Sequence, residues 1–154
     1  MFKGAITAIV TPFMEDESVD EKALRNLVNF QIKNNIDGIV PCGTTGESPT
    51  LSDEEQVKVV KIVVDAVNGK VPVIAGAGSN STKHAVEMTK KVADAGADAS
   101  LQVCPYYNKP TQEGLFRHFS AIAKSVDIPI IVYNIKGRTG INMETPTLAR
   151  LARE

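Results

Sequence analysis

Side chains able to bind carboxylates and move protons recur in this chain just after short apolar runs. Thr44 and Thr45 stand inside Gly43-Thr44-Thr45-Gly46-Glu47, Tyr106 and Tyr107 inside Pro105-Tyr106-Tyr107-Asn108, and Tyr133 begins a stretch that reaches Arg138 in Gly137-Arg138-Thr139-Gly140. Neighbouring threonines in a glycine-bounded turn offer hydroxyls and backbone N–H groups to a carboxylate. A guanidinium can grip a second carboxylate through two hydrogen bonds. Tyrosine hydroxyls relay protons when chained to a threonine hydroxyl. Each group also has a plainer use. The glycines make a tight turn whose threonines cap the next helix, adjacent tyrosines pack or serve an interface, and a lone arginine pairs with a surface acid. Residue type alone favours the plainer uses.

Other chemistries find little support. Cys42 and Cys104 form no disulfide framework and no metal-ligand spacing, and are expected to be buried, inert thiols. His84 and His118 lack the close spacing of a metal site, and His118 is expected at the surface or at a helix cap. The 17 Lys and Arg against 18 Asp and Glu leave a net charge of -1, so there is no electrostatic footprint for nucleic acid or an anionic membrane. The start, Met1-Phe2-Lys3-Gly4, lacks a signal-peptide core, and no apolar run reaches transmembrane length. With 43% hydrophobic residues, a soluble, cytoplasmic globular chain is expected.

The elements that must position these groups alternate regularly. Strand-like runs cover Ala5–Val10, Gly38–Cys42, Val71–Ala75, Ala99–Cys104 and Pro129–Tyr133. Most are almost wholly apolar, as strands buried on both faces should be. Between them, helices announce their ends: Asp20 before a Leu24, Leu27, Val28, Ile32 face; the Ser52/Glu55 capping box before Val57, Val60, Val64 and Val67; Ser81 or Thr82 before Ala85, Met88, Val92 and Ala93, with Gly96 beyond. Thr111 precedes Leu115, Phe119 and Ile122, and Thr145 is read as the cap of a helix with Pro146 at its first position. Strand starts at 5, 38, 71, 99 and 129 give steps of 33, 33, 28 and 30 residues, the length of a βα unit. The first βα turn reads Thr11-Pro12-Phe13 rather than a dinucleotide-binding glycine pattern. Polar residues collected behind several strands fit a (β/α)8 TIM barrel better than an open doubly wound sheet. The fold class is therefore α/β, an incomplete barrel of five βα units, with residues 1–154 the N-terminal portion of a single domain.

The segments ITAIVTPF, GIVPCGTTGESPTLSDEE, VIAGAGSNST, CPYYNKPTQEGLFRHF and IVYNIKGRTG together resemble the dihydrodipicolinate synthase / N-acetylneuraminate lyase family, collinearly along the whole chain. The resemblance implies a cofactor-free, metal-free barrel enzyme that holds pyruvate as a Schiff base on a lysine. In the synthase branch the second substrate is aspartate semialdehyde and the product is 4-hydroxy-tetrahydrodipicolinate; the alternative is cleavage of sialic or 2-keto-3-deoxy sugar acids. On this resemblance, Thr44, Tyr107 and Tyr133 match the proton-relay triad. Thr45 matches a pyruvate-carboxylate ligand, and Arg138 the arginine that recognises aspartate semialdehyde and favours the synthase branch. Tyr106 matches an interface residue. Tyr107 is implied to reach the neighbouring subunit's site, so a homo-oligomer (a tight dimer, or a dimer of dimers) is expected.

Two departures and one absence qualify the resemblance. Lys136 stands where the family has proline, which predicts a more flexible loop; its use as a substitute amine is disfavoured. Asp53, Gln56 and His84 occupy positions where feedback-sensitive relatives bind lysine, with His84 replacing an acid, so weak feedback is expected. The Schiff-base lysine belongs to the sixth strand, which the ~30-residue repeat places near residue 160. A barrel typically needs about 250 residues. The chain alone is therefore expected to be inactive, whether a truncation, a piece complemented by a C-terminal half, or a non-catalytic module.

Overall fold

The computed structural model describes residues 2–154. Its elements run β1 (Ile6–Ala8), α1 (Glu21–Lys33), β2 (Gly38–Val40), a 3-10 turn (Ser48–Thr50), α2 (Asp53–Val67), β3 (Ile74–Gly76), α3 (Thr82–Asp94), β4 (Ala99–Val103), α4 (Gln112–Ala123), β5 (Ile130–Tyr133), α5 (Lys136–Thr139) and α6 (Thr145–Leu151). All strand pairs are parallel, with Ile6 opposite Gly38, Ile74 opposite Ala99 and Ser100 opposite Ile130. An Ile39–Val73 bridge and the Gly76 N–H to Pro41 carbonyl bond (2.9 Å) join β2 to β3. The strand order is thus 1-2-3-4-5, a partial (β/α)8 barrel of five parallel strands.

Local chemistry sets the boundaries. Asp20, Ser81 and Thr111 cap α1, α3 and α4 with their side chains, and Ser52 with Glu55 forms the full capping box of α2. Gly96 follows α3 at φ +95°, the left-handed position that glycine takes most cheaply. The start of α6 differs from the reading by one residue: Glu144 is the N-cap, without a side-chain cap bond, and Pro146 lies in the first turn after Thr145. The β3 ladder starts later than expected: Pro72 has no N–H to donate and Val73 gives its own to Asp98 Oδ2 at 2.8 Å.

The largest apolar cluster joins Leu24 and Val28 of α1, Val59, Val60 and Val63 of α2, Met88 and Val92 of α3, and Ile39, Val73 and Ala75 of the sheet. Because α2 packs between α1 and α3, its buried set is Val59, Val60, Ile62, Val63 and Val67, while Val57 and Val64 of the expected stripe are only partly buried. β2 and β3 are fully buried, whereas β1 and β5 are only partly covered. These two lie at the sheet margins, so the expectation of two-sided burial fails there for want of a neighbouring strand among the described residues. A smaller cluster, Cys104, Leu115, Phe119 and Met143, serves the β4–β5 end.

Candidate active site

The turn after β2 is built by two close backbone approaches. Cys42 leaves the strand at φ +54°, and a Cβ on Gly76 would overlap the Cys42 carbonyl oxygen. Only glycine lets β3 come this near. Thr11, at the end of β1, donates from its hydroxyl to the Gly46 carbonyl at 2.7 Å, pinning the far side of the same turn. Gly46 and Glu47 spend their N–H groups inside it, on the Gly43 and Thr44 carbonyls. Neither the amides nor the hydroxyls of Thr44 and Thr45 donate to an acceptor among the described residues. Nor do these threonines cap a helix, since Glu47 precedes the 3-10 turn and Ser52 caps α2. The tight turn of the plainer reading is present but its capping role for the threonines is not, and a small array of free donors stands at the strand end.

A cavity of about 610 Å³ opens beside this array. Its wall includes Thr44, Gly76, Ser79, Leu101, Val103, Tyr106, Tyr133 and Arg138, and it extends past Glu47 and Ser48 to Asp53, Gln56 and His84. Thr44, Tyr133, Arg138 and Tyr106 are thus brought to one space from three different strand ends. Thr45 and Tyr107 are not part of that wall. Tyr107 is 91% exposed, at φ +71°. Its loop is fixed by a reciprocal pair: Asn80 Nδ2 donates to the Tyr106 carbonyl (3.3 Å) and Asn108 Nδ2 donates to the Asn80 carbonyl (3.1 Å). Among the described residues no hydrogen bond joins Thr44, Tyr107 and Tyr133 to one another.

Arg138 is exposed, lines the cavity and makes no ion pair among the described residues. A cation without a protein carboxylate on a cavity wall is a ready anion site. Lys136 is also exposed but lies off the wall. The segment expected to be a flexible loop is instead the helical turn α5, closed by Gly140 at φ +72°. Lys136 takes its first position, where the fixed φ of proline is favoured but not required.

At the other end of the cavity, His84 Nε2 lies 2.8 Å from Asp53 Oδ1, and Lys91 Nζ lies 3.0 Å from Oδ2. The hydrogen bonds from His84, then from Lys91, hold the Asp53 carboxyl below the ordinary carboxylate range. Both thiols are buried, and burial pushes Cys42 up to about 12 and Cys104 upward. They are poor nucleophiles at neutral pH. Among the described residues no group of three His, Cys, Asp or Glu could hold a metal ion, and no helix is long and apolar enough to cross a membrane.

Sequence reasoning missed several residues. His118 is buried rather than superficial, its Nδ1 2.9 Å from the Thr82 hydroxyl and its ring edge-on to Phe119. Burial lowers its pKa to about 4. Gln102, inside an apolar strand, is fully buried and donates to Thr89 and Ser100; a lone amide in such a strand was the available signal. Gln112 and Asn142, which brace the loop carrying Arg138, gave no signal, because their partners lie far off in sequence.

Comparison with known proteins agrees with this fold. The profile of the dihydrodipicolinate synthetase family matches residues 1–154. The chain is 63% identical over 153 residues to the 4-hydroxy-tetrahydrodipicolinate synthase of Syntrophus aciditrophicus, covering 99% of this chain and 52% of that relative. It superposes with TM-score 0.97 and 50% identity on the chloride-inhibited dihydrodipicolinate synthase of Acinetobacter baumannii complexed with pyruvate, covering 99% of this chain and 53% of that one. Against the Cyanidioschyzon merolae enzyme with lysine bound, the TM-score is 0.95 at 50% identity, covering 98% and 52%. The chain spans about half the length of the curated relatives it matches.

Proposed function

Because the chain belongs to the dihydrodipicolinate synthetase family, we propose that it serves the condensation of pyruvate with aspartate semialdehyde to 4-hydroxy-tetrahydrodipicolinate, a cytoplasmic step towards lysine and diaminopimelate. The observation that carries this reading is Arg138, without an ion pair among the described residues, on the wall of a cavity that it shares with Thr44 and Tyr133. Two carboxylate-bearing substrates need two cationic or donor-rich ends in one space, and this cavity has both. The sugar-acid lyase alternative has no comparable use for Arg138.

In this proposal the free donors of Thr44 and Thr45 take the pyruvate carboxylate. Arg138 takes that of aspartate semialdehyde bidentately. The hydroxyls of Tyr133, Thr44 and a Tyr107 contributed by a second copy pass protons as the carbinolamine forms and collapses. The outward, 91% exposed position of Tyr107 supports its use across a dimer, with Tyr106 at the same interface. The amine comes from a sixth strand of the same barrel domain, of which the 154 residues form the N-terminal portion. No cofactor or metal is required. His84 and Lys91 already occupy the Asp53 carboxylate, which supports weak lysine feedback, in contrast to the lysine-bound relative.

The test joins this chain in frame to the remaining half of the Syntrophus aciditrophicus relative and assays condensation. Activity that drops about a hundredfold or more in Arg138→Ala, through lost charge-assisted bonds, is the expected result. Robust activity with sugar acids and none with aspartate semialdehyde overturns the proposal. Residues 1–154 alone, treated with pyruvate and borohydride, should yield no lysine adduct; one on Lys136 would contradict the assignment.

A further inference from the structure

Resting on the reading of Arg138 as the carboxylate holder, we propose that Asn134 and Gln112 form a two-part clamp that positions Arg138, making both of them specificity-determining positioning residues. Among the described residues Arg138 has no ionic contact to fix its aim. It rides on α5, a four-residue turn too short to hold itself in place. What holds the turn is the closure of the segment around it. At its start, Asn134 Nδ2 donates to Asn142 Oδ1 (2.9 Å), and Asn134 Oδ1 accepts from the Met143 N–H (3.0 Å). From α4, Gln112 Nε2 donates to the Asn142 carbonyl (2.9 Å). Its Oε1 accepts from the Glu144 N–H (3.1 Å) and the Thr147 hydroxyl (2.7 Å).

Every polar end of the two amides is therefore used, and their orientation is chemically determined. Met143 N–H and Glu144 N–H can only donate, so the oxygens must face them. The Asn142 carbonyl can only accept, so Gln112 must present its nitrogen. These bonds draw residues 134 and 143 together and leave 135–141 as a closed loop with Arg138 at its crest. Closing a loop at its base removes conformations from everything inside it. A binding group misplaced by 1 Å loses much of its effect.

The chemistry also sorts the substitutions. Asn134→Asp keeps the acceptor for Met143 N–H, and a flip of the Asn142 side chain restores the bond to it, so that only the long Nδ2 contact with the Met143 carbonyl (3.5 Å) is lost. Gln112→Glu sets a carboxylate oxygen against a backbone carbonyl that cannot flip. Asn134→Leu and Gln112→Met remove the polar contacts at similar volume.

The direct test is hydrogen exchange on this chain at Thr139 and Gly140, whose amides bond within α5 and touch neither clamp residue, together with tryptic cleavage after Arg138. Gln112→Met, Gln112→Glu and Asn134→Leu should speed both roughly tenfold, from loss of two or three modest hydrogen bonds, while Asn134→Asp stays within about threefold of wild type. Unchanged α5 exchange and cleavage in Gln112→Met and Asn134→Leu overturns the clamp. In the chain completed with the relative's second half, the same variants should raise KM for aspartate semialdehyde roughly tenfold, with KM for pyruvate and kcat little moved. Equal loss in all three parameters contradicts a positioning role. Should the completed wild type condense neither substrate, the functional reading fails, while the exchange result still judges the clamp.

Discussion

The two halves of this sheet are held by different forces. Around β1–β3, α1 and α2 bury a continuous apolar mass of Leu24, Val28, Ile39, Val60 and Val63 with little polar content. Around β4 and β5 the apolar cluster is small, and the chain is tied instead by directional bonds from Asn134, Gln112, Thr139 and Thr147. Apolar burial is strong but indifferent to angle. Hydrogen bonds are individually modest but fix direction. The first region supplies the stability of the fold and the second supplies the aim of the site, and substitutions should separate the two.

Leu24→Ala should have the largest effect, lowering stability by about 2–5 kcal/mol in a urea titration, since a fully buried side chain leaves a cavity the helices cannot close. Gly76→Ala comes next, at about 1–3 kcal/mol, because its Cβ has no space beside the Cys42 carbonyl. It should also disturb the Thr44 turn, visible as shifted amide resonances from 43 to 46. His118 gives a smaller, pH-dependent effect. Its folded pKa is depressed from 6.5 to about 4, so between those values the unfolded chain binds more protons. Stability should fall as pH drops through that window, by on the order of 2 kcal/mol. Urea titrations at pH 7 and 4.5 should show a shallower decline for His118→Gln. Arg138→Ala should change stability by less than about 0.5 kcal/mol, since it is exposed and makes no ion pair among the described residues. A large loss there would mean that it holds the fold rather than a ligand.

The legible features were those whose cause is local. The caps Asp20, Ser52 with Glu55, Ser81 and Thr111 bond within three residues of themselves, so spacing alone disclosed them. The order of five parallel strands followed from the repeat of βα units. The cap of α6 was misplaced by one residue because Thr145 is a better capping type than Glu144, and the chain path around Gln112 decided otherwise. His118 was misread because its burial depends on Thr82 of the preceding helix, a neighbour no periodicity reveals. The positive φ of Cys42 and Tyr107 is set by tertiary contacts, so nothing in their residue types disclosed it. Of the site, the residue types at the strand ends were readable. That the donors of Thr44 and the guanidinium of Arg138 find no protein acceptor among the described residues was not, since it follows from what the other acids and carbonyls around them do.

The most direct test of the central claim is a pyruvate titration of the 15N-labelled chain. The account predicts saturable shifts of the Thr44 and Thr45 amide resonances, lost in Thr44→Val, with the α1 and α2 resonances unmoved. Shifts confined to Lys136, or to the Asp53–His84 end of the cavity, would contradict it.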